Sequence, residues 1–416
     1  MALKVKKQVY DNVHGYIELT ELETRVIDTP IFQRLRHISQ MGPAYYVYPG
    51  ATHTRFAHCI GSMFMMQQFL DNVKSHGELL TTDDDEIQKL RLAALLHDIG
   101  HYPMSHTTEN GIVQRLKGMG HEQFGSMLVE KFLAGRLDTY GANEITDIFT
   151  KKRKHKFSAL ISSAFDADKS DYLLRDSYHT GVVYGRINVE RLMRTMSIDG
   201  DRITFSKDES VVESFLLGRY HMFRSVYHHK TAVSFGLMAD KIFEMLIREG
   251  YILHPDELLR RESELDVLAY TDNMFYSAMY AYMKNGKSKH LKELVKMFLL
   301  RKPLAAAYMD PQPSEKGKLS KASQEIKEME GSDRSKGAFA QRAGIDEEWV
   351  FPVYLRPLSL LDEGSKIYTN KMGRSLPLSE NSGLILGMVG KKTLYDARVY
   401  TKKEYADKLH GAMKGW

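Results

Sequence analysis

Leu95-Leu96-His97-Asp98-Ile99-Gly100-His101-Tyr102-Pro103-Met104-Ser105-His106 is the stretch on which the fold turns. Just upstream, EIQKLRLAALL carries apolar residues at helical spacing, so the His-Asp pair closes an amphipathic helix that Gly100 and Pro103 then break. Imidazole and carboxylate side by side offer a divalent ion one nitrogen and one oxygen without competing for the same direction. A His-Asp pair on its own is more often a helix end with its capping partner. The weight therefore falls on its company.

His58 stands in Thr54-Arg55-Phe56-Ala57-His58-Cys59-Ile60-Gly61, where another apolar helix begins. Asp168 stands in Phe165-Asp166-Ala167-Asp168-Lys169-Ser170-Asp171-Tyr172, again helical. On that last helix Asp168, Tyr172 and Asp176 fall at i, i+4 and i+8 and share one face. His101 and His106 trail the dipeptide, and His121-Glu122 opens the next helix. So many ionisable groups on apolar helices cost free energy unless they hold a metal or act on a substrate. The order His, His-Asp, Asp is specific where the dipeptide is not.

Working outward, HEQFGSMLVEKFL, FSALISSAFDADKSDYLLRD and the long run from Val211 to Ile247 read as helices too. Ala44-Tyr45-Tyr46-Val47-Tyr48 reads as a short β-like stretch, and Ser197 to Phe205 as a hairpin turning at Asp199-Gly200-Asp201. After about residue 308 the composition changes: Asp310 to Gly344 is polar and rich in Lys, Glu and Ser. That segment reads as a mobile insertion or linker, with SKASQEIKEME able to form a solvent-exposed helix. WVFPVYLRP and GLILGMVG suggest strands, and YADKLHGAM a terminal helix. The expected fold class is mainly α, with a helical domain over 1–300, a polar insertion over 301–345 and a small mixed α+β region over 346–416.

Composition limits the function classes. The 416 residues are 43% hydrophobic and 27% charged, as in an ordinary globular protein. A net charge of +5 suits an anionic substrate but does not mark a nucleic-acid coating protein. The run Lys151-Lys152-Arg153-Lys154-His155-Lys156 reads first as a solvated loop, and otherwise as a phosphate-attracting rim or a nucleic-acid patch. Cys59 is the only cysteine, which excludes an intrachain disulfide and a thiolate metal cage. The start lacks the apolar core of a secretory signal and no stretch approaches a membrane span, so the expected location is cytoplasmic, with no membrane partner.

These segments resemble the HD-domain phosphohydrolase superfamily, and within it the SAM-and-HD-domain type deoxynucleoside triphosphate triphosphohydrolases. The resembling stretches are VYDNVHGYIEL, VIDTPIFQRLRHISQMGPAYYVYPGATHTRFAHCIG, LLHDIGHYPMSH, HEQFGSML, DADKSDYLLRDSYHTG and RSVYHHK, in order from residue 7 to about 235. No stretch resembles the SAM module of the vertebrate enzymes, and the likeness fades after residue 300. The resemblance implies an HD-domain helical core with an N-terminal regulatory segment. It implies one divalent metal per active site, from among Mn, Fe, Zn, Ni and Mg, held by His58, His97, Asp98 and Asp168. The implied reaction splits a dNTP into deoxynucleoside and triphosphate by attack of water on the α-phosphate.

The same resemblance implies His121 as general acid, oriented by Glu109, with His101 and His106 beside it. Glu109 stands where the vertebrate enzymes have Asp. Arg55, Lys169 and Arg219 would clamp phosphates, and Gln40, Met41, Tyr172, Asp176, Tyr227 and His228 would meet sugar and base. Tyr172 and Tyr227 would crowd a 2′-hydroxyl. Read without the resemblance, the two tyrosines are core residues, Arg219 and Lys169 surface cations, and Gln40 a helix cap. Lys7, Asp28, Gln33 and Arg36 match residues that read an activating guanine nucleotide between subunits, although Asp28 could equally cap a helix. Arg191 and His229 are kept from the adjoining dNTP activator site, but around Ser206 and Ser225 the chain lacks arginines that the vertebrate enzymes have there. Implied partners are a dNTP substrate, GTP or dNTP activators, further Mg with bound nucleotides and a homo-oligomer, dimer or tetramer. The competing readings are an HD phosphohydrolase acting on a nucleoside monophosphate, cyclic dinucleotide or alarmone, and a nucleic-acid-binding protein or nuclease.

Overall fold

Helix Arg55–Ser75 is the axis of the fold. Phe56, Cys59, Ile60, Met63, Met66 and Phe69 are all buried, as in a helix enclosed on most of its circumference. It packs against helices Asp84–Leu96 and Ala167–Thr180. The Asp83 side chain accepts from the Glu86 N–H and starts one of these; Asp166 accepts from the Lys169 N–H and starts the other. Gly181, at φ +78°, ends the latter in the left-handed conformation. Three helix ends thereby converge: the first turn bearing His58, the exit bearing His97-Asp98, and the first turn bearing Asp168. In the computed structural model the described residues are 3–75, 83–137, 140–152, 157–161, 163–199, 202–206, 209–310, 313–315, 321–331, 333–355, 367–371, 374–388, 392–394 and 396–413.

The N-terminal hairpin pairs Val5–Asp11 antiparallel with Gly15–Thr20, and its second strand lies on the central helix. Helices Glu209–Met222, Lys230–Arg248, Asp272–Asn285 and Lys289–Leu299 complete the helical body. One apolar core runs from Ile17 through Phe298 and on to Tyr400. Strands Ala305–Asp310, Asp396–Thr401 and Phe351–Leu355 form a small antiparallel sheet in that order. The expected hairpin is present as Met196–Asp199 and Arg202–Ser206, and Thr204 to Ser206 continue in parallel register onto Tyr368 to Asn370. The C-terminal region is thus tied by its backbone to the helical body. Among the described residues no helix is long and apolar enough to cross a membrane.

Three expectations need correction. Ala44 to Tyr48 is not a strand: Gly42–Tyr46 forms a 3-10 helix. Pro43 has no N–H for a ladder, and Tyr46 stacks on Phe235 at 4.4 Å instead. GLILGMVG begins as helix Gly383–Met388, because the Ser382 hydroxyl accepts from the Ile385 N–H; Val389 and Gly390 lie outside the described residues. The polar interval 310–344 contains helices Lys321–Gly331 and Asp333–Ala343. Ile326, Met329, Phe339, Ala340 and Ala343 bury a second small core with Val350, Val399 and Leu409. Its apolar residues are few, but three- and four-residue spacing puts them on one face each.

Candidate metal centre and active site

The convergence of helix ends brings His58 Nε2 to 3.1 Å from Asp168 Oδ1 and 3.4 Å from Asp98 Oδ2. His97 Nε2 lies 3.4 Å from Asp98 Oδ1 and 3.6 Å from Asp168 Oδ1. The donor atoms of His58, His97 and Asp168 all fall within 4.8 Å of one another. Such edges suit ligand bonds of about 2.0–2.2 Å to a central ion. The tautomers agree. His97 Nδ1–H donates to the Ala94 carbonyl at 2.8 Å and His58 Nδ1–H to Asp171 Oδ2 at 2.7 Å, so both Nε2 atoms present lone pairs inward. Both Nε2 atoms are buried without a hydrogen-bond partner. Two orphaned imidazole nitrogens facing two carboxylates fit a divalent cation.

The electrostatics agree with that fit. Burial works against charge on Asp98, but Arg55 and His97 hold its carboxyl well below the usual range. The His58 and His97 rings, 3.1 and 3.6 Å from its Oδ1, hold Asp168 well below the usual range against its burial. Burial pulls the His58 imidazole down, yet Asp168, Asp171 and Asp98 outweigh it and raise the ring to about 10. The carboxylates therefore draw positive charge to this point.

Beside the metal centre lies a second group of four, within the same 4.8 Å span: His101, His106, His121 and Glu109. The rings of His101 and His121 stack at 4.1 Å and 8°, with His106 edge-on to both. Glu109 Oε1 accepts from His121 Nδ1 at 2.7 Å and from the His121 backbone N–H at 2.8 Å, while Oε2 accepts from His106 Nδ1 at 2.9 Å. The longer Glu arm thus reaches two histidines at once. Burial disfavours the Glu109 charge, but the hydrogen bonds from the His106 and His121 rings hold the carboxyl far below its ordinary range. Burial, Arg55 and His121 push His101 well down, so it stays neutral beside the metal centre.

A cavity of about 720 Å³ opens from this point, and Gln40, Met41, Arg55, Tyr172, Asp176, Tyr227 and His228 line it. Tyr227 donates its hydroxyl hydrogen to Asp176 Oδ2 at 2.6 Å, and His53 Nε2 donates to Asp176 Oδ1 at 2.7 Å. The far wall comes from the C-terminal sheet, at Val353, Tyr354 and Leu355. Lys169 lines a smaller adjoining cavity of about 100 Å³ with His97, Asp168, His121 and Lys151, and bonds Asp166 at 2.7 Å. Lys151 and Lys152 of the basic run are described; residues 153–156 lie outside the described residues.

Two residues stand differently from a simple phosphate clamp. Arg55 is turned to Asp98 Oδ2 at 2.5 Å, Ser105 Oγ at 2.9 Å and the Gln40 carbonyl at 3.2 Å, so it buttresses the Asp98 carboxylate. Arg219 is buried against the Phe223 ring, 5.7 Å from its centroid, rather than in the cavity wall. Under the N-terminal hairpin a separate cavity of about 440 Å³ is lined by Lys7, Asp28 and Arg36. Gln33 stands behind it, donating to the Ile27 carbonyl and accepting from Arg36 Nε. Thr29, and not Asp28, caps the helix that follows. His229 caps helix Lys230–Arg248 through the Thr231 N–H.

Sequence reasoning missed Asp171, His53, Ser105 and Asp272. Asp272 Oδ1 accepts from the Met104 N–H at 2.7 Å and Oδ2 from the Ser39 N–H at 2.9 Å. It thereby holds a turn in which Met104 and Ser105 adopt φ of +63° and +57°. Asp171 lies three residues beyond Asp168, but no local spacing marks it as the partner of His58 and His14.

The family described as HD domain matches residues 55–176, and the family described as HD associated region matches residues 187–415. An uncharacterized protein of Methanocaldococcus jannaschii is 34% identical over 74% of this chain and 62% of its own length. The deoxynucleoside triphosphate triphosphohydrolase SAMHD1 homolog of Dictyostelium discoideum is 32% identical over 58% of this chain and 49% of its own. The human deoxynucleoside triphosphate triphosphohydrolase SAMHD1 is 26% identical over 71% and 54%. The chain thus spans about half to three-fifths of these curated relatives. The crystal structure of a phosphohydrolase from Bacteroides thetaiotaomicron superposes with a TM-score of 0.75 at 26% identity, covering 95% of this chain and 100% of that one.

Proposed function

This chain belongs to the HD-domain family, with an HD associated region behind the HD domain, and on that premise we propose that it hydrolyses deoxynucleoside triphosphates to deoxynucleoside and inorganic triphosphate. The observation that carries the reading is the abutment of three features. A metal-competent His58, His97 and Asp168 set, with Asp98 beside both histidines, adjoins a histidine group on Glu109, and both open into a cavity with two tyrosines on its wall. The relatives named as dNTP triphosphohydrolases favour this substrate over other nucleotides. A divalent ion at the first set would, when bound, supply Lewis acidity toward the scissile phosphate and toward water.

The chain's own groups do the rest. Lys169 and Lys151 draw the triphosphate into the smaller cavity. His121, fixed through Nδ1 by Glu109, presents Nε2 to the leaving 5′ oxygen and donates its proton there. Tyr172 and Tyr227, with ring centroids 6.4 Å apart, close around the sugar and leave no room for a 2′-hydroxyl. The Asp176 bond fixes the Tyr227 ring in that position. The hairpin cavity with Lys7, Asp28 and Arg36 would take an activating guanine nucleotide, in a homo-oligomer.

The test is hydrolysis of each dNTP in Mn and in Mg, with and without GTP, with products resolved by ion exchange. Deoxynucleoside plus intact triphosphate, lost in a His97→Ala, Asp98→Ala double variant, is the expected result. Pyrophosphate or orthophosphate as first product would place the attack elsewhere and refute the reaction.

A further inference from the structure

The metal ligand His58 is held from behind by a closed circuit that reaches the tip of the N-terminal hairpin. Asp171 is completely buried, and its two oxygens take four donors. Oδ2 accepts from His58 Nδ1 at 2.7 Å and Arg175 Nε at 2.9 Å. Oδ1 accepts from Arg175 Nη2 at 2.8 Å and from His14 Nε2 at 2.7 Å, and His14 belongs to the hairpin turn. Arg175 reaches the same turn by a second route, donating from Nη1 to Asp11 Oδ2 at 2.9 Å and from Nη2 to Asp11 Oδ1 at 3.2 Å. Asp11 Oδ1 in turn accepts the Val13 and His14 N–H groups at 2.9 and 3.0 Å, which shapes the turn and aims His14.

The surroundings are built to admit this circuit. A Cβ on Gly61, one turn beyond His58, would overlap Asp171 Oδ1 and Arg175 Nη2, so glycine at that position makes room for both. The His14 ring also packs on Phe64 of the same central helix, with centroids 4.9 Å apart. Gly15 at φ +74° lets the chain turn directly after His14.

We propose that the hairpin turn, through His14 and the Asp11–Arg175 pair, is the positioning element for the metal ligand His58, so that it sets how tightly the divalent ion is held. The proposal rests on the metal centre of the preceding section. An imidazole ligand binds well when its other nitrogen is fixed in tautomer and direction by an acceptor. Asp171 is that acceptor, and a carboxylate held by Arg175 alone could rotate about the pair of arginine bonds. His14 Nε2–H removes that freedom from the side opposite His58. Asp11 stops Arg175 from drifting and keeps the turn in register.

The experiment measures Mn²⁺ and Zn²⁺ affinity of the full chain by competition with a chelating dye, with no nucleotide present. Asp171→Asn is expected to weaken binding by about 10- to 100-fold and His14→Phe by about tenfold, the range of lost outer contacts at metal sites. His14→Gln keeps an amide donor near the Nε2 position and is expected to stay within about threefold of the parent. Unchanged affinity in a folded His14→Phe, or equal losses in His14→Phe and His14→Gln, would overturn the proposal. If His14→Phe does not fold without metal, Asp11→Asn carries the test: weaker binding supports the circuit and parental affinity overturns it. Retention of the ion by His97→Ala at parental affinity would instead remove the metal centre itself, and the positioning role with it.

Discussion

Arg34 offers a sharp test of how the core supports the site. Its side chain is fully buried, and Nη1 donates to the His101 carbonyl at 2.9 Å and the Tyr270 carbonyl at 3.1 Å, while Nη2 donates to the Ile99 carbonyl at 2.5 Å. Two of these acceptors bracket Gly100, between Asp98 and His101. Burial pulls the guanidinium down from 12.5 to about 10, against the opposing pull of Tyr270, Tyr102 and Asp272. That fall amounts to about 3 kcal/mol set against the charged form. Arg34→Met fills similar space and removes this penalty, but it strands three buried carbonyls at about 1–3 kcal/mol each. The stranded acceptors outweigh the recovered desolvation, for a net loss of about 3 kcal/mol. Urea unfolding of the metal-free protein should show it as a lower midpoint at unchanged slope. Release of the turn should also lower kcat by about 10- to 100-fold, since small misplacements of reacting groups have effects of that size. A parental midpoint, or lost stability with intact kcat, would refute the idea that this arginine ties the core to the site.

Lys151→Ala and Lys169→Ala are each expected to lower kcat/KM for dNTPs about tenfold, the worth of one charge-assisted hydrogen bond; steady-state kinetics unaltered by both would exclude the smaller cavity as the phosphate site. Tyr172→Ala should relax discrimination against ribonucleotides by about tenfold, read as the ratio of dATP to ATP turnover; an unchanged ratio would rule out crowding at the sugar. On the acid side, burial works against the charge of Asp98, Asp168 and Asp171, but their cationic partners hold all three well below the carboxylate range. Carboxylates depressed in this way stabilise the native state above the unfolded value of about 3.9, and that contribution is lost as pH falls through the native value. The metal-free chain should therefore lose stability steeply below about pH 4, and Asp171→Asn should flatten that limb by about one proton; superimposable acid limbs would contradict the assignment.

What was legible in the sequence follows from what is local. His58, His97, Asp98 and Asp168 each stand at a helix end, where capping residues, glycine and proline mark the boundary, and an ionisable group beside an apolar run is conspicuous. Asp171 carries the same charge on the same helix as Asp168 and Asp176, yet only its partners distinguish it. Apart from Arg175, one helical turn on, those partners are His58, 113 positions away, and His14, 157 positions away. No periodicity encodes such a pair. Arg34 and Asp272 are hidden for the same reason: both act on the backbone of a turn remote in sequence, which leaves no mark on their own neighbourhood. The misread segments show the opposite failing. The aromatic run at Ala44 to Tyr48 has β propensity, but Pro43 and the ring stack on Phe235 override it. Among the described residues of the interval 310–344 the average composition hides five buried apolar side chains whose spacing, taken alone, would have indicated two helices. Propensity and composition describe a segment by itself, whereas the site depends on which segments meet. Gln33 makes the point within four residues: it shares a helical stretch with Arg36, but its local bond to the Ile27 carbonyl takes it out of the hairpin cavity and leaves Arg36 facing it.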